Sequence, residues 1–384
     1  MLQDSISPAR PEGNFRAAAA HGADGIGRLA RPFPVENFHG LRHKEAAEVR
    51  GIRIKLVEAI TFMLRNLLTA FTLAVSMIAA GPASAIDTLS VVLTSKAFQY
   101  IPLVIAQERG YMKEEGLELK FVYMQNAPGL QALTTNAVQF SGSGSSALVA
   151  VSKGNAPLKT VLAMNDQVLQ WVVVRPNIAS IKDLKGKKVA TTGVASIAAY
   201  MLRNILVKYG MDAKDVVMID PGPVNRLPSL LSGAVEASIV SPEERYLALD
   251  QGMKDLMFIG KEVKNSWGTF ATSDRFLKEQ PKQMAGFARA VLKGLRVVRQ
   301  DREGTIASVV KFSELDKALS TRMYDDLIGT FTKAGYVDEE TQRNDLAIVK
   351  LVAEVSQVVP PQRAYDFSFV RAAERQLDKQ GWKP

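Results

Sequence analysis

The 384-residue chain contains no cysteine. Disulfides, thiolate metal sites and cysteine nucleophiles are therefore excluded, as is the bacterial lipid anchor that needs a cysteine at the cleavage point. Histidine is nearly as scarce: His21, His39 and His43 are the only three, and all lie in the first 43 residues. Past that point histidine acid–base catalysis, the Ser-His-Asp triad and most zinc sites lapse together. Long apolar runs are lacking too. The stretch "LLTAFTLAVSMIAA" (67–80) is fourteen residues without a charge, about 21 Å as a helix, short of the roughly 30 Å hydrocarbon core of a bilayer.

What surrounds that stretch gives it a meaning. Met63-Leu64-Arg65-Asn66 supplies a positive start, and "GPASA" follows, in which Ala83-Ser84-Ala85 has the small-residue form of a cleavage site. Positive, apolar and small residues in that order predict a secretory signal peptide over 63–85. Residues 1–62, rich in Arg, Ala and Gly, are expected to be a non-native or disordered extension, with synthesis starting at Met63; an unusually long leader is the alternative. Residues 1–85 hold 10 Lys+Arg and 7 Asp+Glu, so a chain cut after Ala85 keeps 38 basic and 32 acidic residues, a net +6. With no polybasic run, that balance gives no argument for nucleic-acid binding. The expected location is the periplasm.

Residues 86–384 are long enough for two domains. Their pattern alternates strands with helices, the signature of βαβ units. "TLSVVLTS" (88–95), "LELKFVYM" (117–124), "AVQFSG" and "LKTVLAM" (158–164) read as strands of a first block, with helices between them. "QWVVVRPN" (170–177) runs into Pro176, and a second block begins at "KKVATTG" (187–193), followed by the helix "SIAAYMLRNILVKYG" (196–210). After "SWGTFATS" (266–273) the pattern turns helical. There "QMAGFARAVLKGLRVVRQ" (283–300) sets Met284, Phe287, Val291, Leu295 and Val298 on one stripe. Two α/β blocks result, with strands near 172 and 269 as the expected crossings. The implied domains are 86–174 as the first part of lobe 1, 175–267 as lobe 2, and 268–384 as a return to lobe 1 with C-terminal helices.

Small-residue loops carry the candidate chemistry. "FSGSGSSALVA" (140–150) follows a strand and opens a helix, which argues against a flexible linker. Its Gly142-x-Gly144-x-x-Ala147 spacing fits the loose dinucleotide pattern, and Asp166 stands about where a ribose-binding acid would. The alternatives are the mouth of a solute pocket and plain close packing. The loop Thr191-Thr192-Gly193-Val194-Ala195-Ser196 has the same form, a strand end, small residues and a helix start. Free N–H groups at two such helix termini, one per block, could converge on one ligand; Ser145 and Ser196 also read as ordinary N-caps. Phe98 and Tyr100 are candidates to stack on a planar ligand, whereas Trp171 and Trp267 read more as core. In "SPEERY" (241–246), Ser241 and Glu244 form a capping box with Pro242 in the first turn, leaving Glu243 over as a cleft candidate.

Three segments resemble a known family. "IPLVIAQERGYMKEEGLELKFV", "SIKDLKGKKVATTGVASIAAYMLRNIL" and "LLSGAVEASIVSPEERY" are similar to segments of periplasmic substrate-binding proteins of ABC importers. The nearest group is the nitrate, sulfonate and taurine class, which includes importers of pyrimidine vitamin precursors. Glu236 departs from the Asp more usual there. The resemblance implies an α/β, type II periplasmic-binding-protein-like fold, two lobes joined by two crossover strands with a helical C-terminal tail. It further implies a monomer that closes on a small solute and hands it to ABC permease and ATPase subunits, with no cofactor, no metal and no catalysis. The candidate ligand-binding set is Ser95, Phe98, Tyr100, Ser143, Gly144, Ser145, Asn165, Thr192, Gly193, Ser196 and Glu243. An exported enzyme using Glu243 or Asp166 as carboxylate base, and a ligand-sensing subunit of a membrane receptor, are the alternative readings. Sulfonate, nitrate, pyrimidine and aromatic acid all remain open as the solute.

Overall fold

The computed structural model describes residues 57–67, 86–193, 196–222 and 225–384. The chain divides into two units, 1–83 and 84–384. In the first, residues 57–67 form an exposed helix. The apolar segment and cleavage site expected for the signal peptide lie outside the described residues, as does most of the expected extension. Among the described residues no helix is long and apolar enough to cross a membrane.

The second unit carries ten strands among its described residues: β1 (Asp87–Leu93), β2 (Leu117–Tyr123), β3 (Phe140–Ser141), β4 (Leu158–Asn165), β5 (Trp171–Val174), β6 (Lys188–Ala190), β7 (Val217–Ile219), β8 (Ala237–Val240), β9 (Lys254–Phe258) and β10 (Trp267–Ser273). They build two five-stranded sheets, in the orders β2-β1-β3-β10-β4 and β7-β6-β8-β5-β9. Each sheet is parallel except where a strand from the other side of a lobe crossing enters it. β10 runs antiparallel between β3 and β4, and β5 pairs antiparallel with β8 and β9.

Burial explains why these residues form strands. Val91, Val92 and Leu93 have no solvent exposure, as expected where helices cover both faces of a sheet. The helix Pro281–Gln300 covers one face of the first sheet, and all five residues of its expected stripe are buried. Phe287 stacks on Phe140 with ring centroids 3.9 Å apart, and burying each such side chain stabilises by about 1.5–3 kcal/mol. The structure thus has the α/β, two-lobed form expected, with helices closing the chain.

Strand pairing places the lobe boundary differently from the sequence pattern. β5, expected at the end of lobe 1, is an interior strand of the second sheet, and Trp267, expected in lobe 2, opens β10 in the first. The reason is that Val172, Val173 and Val174 are fully buried. An apolar run with both faces covered needs a central place in a sheet. The lobes are therefore joined by two short segments, 166–170 and 263–266, rather than by strands. Two smaller differences follow local backbone. The helix expected over 103–112 breaks at left-handed Gly110 into Ile101–Glu108 and Tyr111–Glu114, and Asn155, not Gly154, takes the left-handed cap of Gly144–Gly154.

The second joining segment is tied to the helix Glu339–Ala353, which packs on Gly144–Gly154 in lobe 1 and on Ile197–Lys208 in lobe 2. Its Asp345 carboxylate accepts from Asn265 Nδ2 (2.9 Å), Ser266 N (3.0 Å), Ser266 Oγ (2.6 Å) and the Tyr365 hydroxyl (3.0 Å). Burial pushes the Asp345 carboxyl up to about 6, against the pull of those donors. An acid whose pKa is raised on folding holds its proton more tightly in the folded chain, so stability is greatest below the unfolded value and falls as pH rises through the folded one. The window runs from about pH 4 to about pH 6 and is worth about 3 kcal/mol. Denaturant unfolding at half-unit steps should show wild type losing stability across that window relative to Asp345→Asn, which cannot ionise. Parallel curves for the two would contradict the assignment.

Candidate functional site

In both sheets the C-terminal edge of the parallel strands faces the other lobe, and a cleft of about 700 Å³ lies between them. This is where open α/β sheets place ligands, because loops leaving the carboxyl ends of strands expose backbone and helix N-termini there. Thr94 leaves β1, Gly142 and Ser143 leave β3, and Thr192 leaves β6; the antiparallel entries put Gln170 before β5 and Trp267 to Thr269 at the start of β10 on the same edges.

The first turns of two helices meet here, one from each lobe. Ser145 and Ser146 of Gly144–Gly154 line the cleft from lobe 1, and Ile197 and Ala198 of Ile197–Lys208 line it from lobe 2. Ser196 caps the second helix, its Oγ accepting from Ala199 N at 3.2 Å. Ser143 sits at the cap position of the first without capping it; its hydroxyl donates instead to Asn126 Oδ1 at 2.8 Å. Tyr100 is 2% exposed and donates to Gly142 O at 3.3 Å, bracing the loop that leads to the helix. Of the eleven expected residues, Tyr100, Ser143, Ser145, Thr192 and Ser196 line the cleft.

The other six lie outside its lining, each for a visible reason. Phe98 is fully buried against Phe331, ring centroids 5.4 Å apart, so it is core, and Thr94 rather than Ser95 reaches the cleft. Gly144 packs against β10: a Cβ there would lie 2.1 Å from Thr269 Oγ1 and 2.8 Å from Thr269 O. Close packing therefore accounts for the second glycine of "SGSGSSA", which removes the main structural support for a dinucleotide loop. Gly193 faces Asp220 and Ser196. Asn165 is fully buried behind the cleft, donating to Thr330 Oγ1 at 3.0 Å.

Glu243 is the sharpest departure. Its helix Pro242–Asp250 begins with the expected capping box, Ser241 N to Glu244 Oε2 at 2.8 Å and Glu244 N to Ser241 Oγ at 3.4 Å. The Glu243 carboxyl is turned into the contact with the Phe98 backbone rather than into the cleft, and burial raises its pKa despite the backbone and Ser241 hydrogen bonds. Asp166 belongs to a separate polar hollow with Lys264 and Asp338. Trp171 stacks on Phe258 at 4.4 Å under Arg245, as core, while Trp267 lines the cleft.

Residues not foreseen complete the wall: Gln99, Asn126, Lys153, Gln170 and Thr269. Among the described residues of the lining Lys153 is the single charged side chain, and none is a carboxylate, histidine or arginine. Lys153 reads in sequence as an ordinary last-turn cation, and Gln170 as a residue flanking a strand, so neither announces itself. Gln99 could have been found, since it sits between the two aromatics of the first loop. The wall is thus mostly neutral and hydrogen-bonding, with an indole and a phenol ring and one cation. Among the described residues no cluster of His, Cys, Asp and Glu could hold a metal ion.

The chain is similar to several known proteins. The riboflavin-binding protein RibY of Chloroflexus aurantiacus is 27% identical over 205 residues, covering 51% of this chain; the chain spans 58% of that relative's length. A 4-amino-5-hydroxymethyl-2-methylpyrimidine phosphate synthase of Uromyces fabae is 23% identical, covering 62% of this chain and 75% of that protein. Among solved structures, the periplasmic aliphatic sulphonate binding protein SsuA of Escherichia coli superposes with a TM-score of 0.63 at 20% identity, over 73% of this chain and 92% of that one. That likeness carries the periplasmic-binding-protein fold. Residues 97–304, more than half of the chain and including strands of both lobes, match the family described as NMT1/THI5 like, and the chain belongs to it.

Proposed function

We propose that this chain is the solute-binding component of an ABC importer, exported to the periplasm, capturing a small solute between its lobes and presenting it to a permease. The observation that carries this reading is the cleft itself. Two helix N-termini from opposite lobes converge on a wall of mostly neutral hydrogen-bonding side chains, with no carboxylate or histidine among the described lining residues. Such a site can hold a ligand and be closed by it, because contacts from both lobes form together only in a closed arrangement. The joining segments 166–170 and 263–266 are the natural hinge. The likeness to a periplasmic sulphonate-binding protein supports the frame, and RibY supports a capture role within this family. The sequence features of export, Met63 to Ala85, support the location.

A second reading, an enzyme on the same frame, draws support from the synthase named among the relatives. It has to work without the carboxylate base first considered, since Glu243 and Asp166 stand outside the cleft lining. Lys153 and Tyr100 would be its titratable groups. Incubating the protein with a bound ligand and following it by mass spectrometry separates the readings: recovery of unchanged ligand supports capture, and turnover supports the enzyme.

Thermal unfolding against riboflavin, 4-amino-5-hydroxymethyl-2-methylpyrimidine, alkanesulfonates and nitrate should reveal one stabilising class. At a hundred times its Kd a ligand adds about 2.7 kcal/mol, on the order of 5–10 °C for a domain of this size. Ser145→Ala and Thr192→Ala should each weaken that ligand roughly 3- to 10-fold, the loss of one hydrogen bond, while the free protein unfolds within about 2 °C of wild type. Unchanged affinity in both variants would remove the two helix termini from the site.

A further inference from the structure

The helix Pro242–Asp250 follows β8 and belongs to lobe 2. The helix Lys317–Leu327 belongs to lobe 1 and leads to Phe331, which forms a β-bridge with Asn165 of β4. Their contacting residues are 72 to 81 positions apart in the chain, yet the two helices share one cluster of polar and aromatic groups. Arg245 Nη1 reaches Asp326 Oδ2 of lobe 1 at 3.1 Å, while its Nε holds the Asp255 carboxylate of lobe 2 at 2.8 and 2.9 Å. The Tyr246 hydroxyl donates to the same Asp326 oxygen at 2.6 Å. In the opposite sense, Arg322 of lobe 1 reaches Asp250 of lobe 2 at 3.0 Å. Both guanidiniums lie over the Tyr246 ring, Arg245 at 4.8 Å and Arg322 at 4.7 Å from its centroid.

Isolated exposed ion pairs contribute little, but the centre of this cluster is not exposed. Tyr246 is 2% exposed and the Arg245 side chain 15%, so solvent screens them weakly. Burial, with the Asp326 carboxylate adding to it, raises the Tyr246 phenol well above its ordinary value, and the hydroxyl stays a donor. The partners are also shared. Asp326 serves Arg245 and Tyr246, and each guanidinium serves a carboxylate and a ring, so the contacts break as a set. None of these residues belongs to the cleft lining. The arrangement they span is one in which both lobes line about 700 Å³, a volume ordinary for small-molecule sites, which run from about 300 to about 1,000 Å³.

We propose that this cluster is a clasp holding the two lobes in the binding arrangement before a solute arrives, so that residues outside the cleft set its affinity. The inference rests on the solute-binding reading above and deepens it by naming what regulates the site. Turning one lobe against the other separates the two helices and breaks the set. Holding them raises affinity, because the apparent Kd is the intrinsic value divided by the fraction of chains already competent to bind. A clasp built of charges makes that fraction sensitive to salt, since the screening length falls from about 10 Å at 0.1 M to about 3 Å at 1 M.

The test exploits the absence of cysteine. Lys120→Cys on lobe 1 and Lys182→Cys on lobe 2, both exposed positions, carry spin labels in the full chain, and pulsed dipolar spectroscopy reads their separation without ligand. At low salt one narrow distance distribution is expected. Asp326→Asn combined with Arg322→Gln should broaden or displace it, and so should 1 M salt with the clasp intact. Tyr246→Phe, which removes a cross-lobe bond and keeps the ring, repeats the measurement should the double variant fail to fold. Asp325→Asn, whose partner Arg302 lies in the same lobe, should leave the distribution as it was. For whichever of riboflavin, 4-amino-5-hydroxymethyl-2-methylpyrimidine, ethanesulfonate and nitrate binds, calorimetry should show the double variant weakened roughly 3- to 10-fold and Asp325→Asn unchanged. A merely structural contact would lower the unfolding midpoint and leave the interlobe distance alone. The same distances in clasp and control variants overturn the proposal, as does an affinity that the double variant leaves unchanged or raises. Absence of heat with all four probes counts against solute binding, and the distance measurement then decides the clasp by itself.

Discussion

Everything in this structure depends on how β10 enters the first sheet. It lies antiparallel between β3 and β4, so lobe 1 cannot complete its hydrogen-bond ladder until the chain has built the second sheet and returned. Without β10, β3 and β4 would each expose an unpaired edge in the middle of a buried sheet, which buried backbone groups do not tolerate. The second sheet has the matching feature, with β5 antiparallel between β8 and β9. Both insertions start at the edge where the parallel strands end. The two joining segments are therefore neighbours, and the functional edges of both sheets face one another. The joining segments and the cleft are consequences of one topological choice.

That choice also explains how a wall with so little charge is assembled. β1, β3, β6 and β8 are each followed by small polar residues before the next helix, so the edge there consists of hydroxyls, backbone and first helical turns. Side chains of the β10 start then fill the gaps: Thr269 packs on Gly144, allowing the helix Gly144–Gly154 to come within contact of the strand. Gly268, at φ +58, turns the chain between Trp267 and Thr269 beside Asn165. A residue with a side chain would be strained there. Charged groups are kept to other places, as with Arg245 bridging Asp255 and Asp326 where the helix Pro242–Asp250 meets Lys317–Leu327.

Much of this was legible beforehand. The alternation of strands and helices, the apolar stripe of Pro281–Gln300 and the capping box at Ser241 and Glu244 all follow from local periodicity and cap chemistry, and all are present. The lobe boundary was misplaced because "WVVV" carries no sign of which sheet will bury it; only partners far along the chain decide. The cleft was half legible for the same reason. Residues in small-residue loops at strand ends, Ser143, Ser145, Thr192 and Ser196, share a local signature. Gln170 and Lys153 reach the cleft only through the placement of whole elements. Phe98 and Glu243 misled because an aromatic in a loop and a spare carboxylate look functional until packing assigns them: one lies on Phe331, the other against the Phe98 backbone.

The two joining segments differ in how their buried polar groups are satisfied. The second is saturated: Asp345 takes donors from both Asn265 and Ser266 as well as from Tyr365. The first is bracketed by two buried oxygens without partners, Asn165 Oδ1 just before it and Gln170 Oε1 at its end. A saturated knot resists displacement, because moving it breaks several buried bonds at once. An unsatisfied acceptor has the opposite effect, since a donor brought to it is gained without breaking anything.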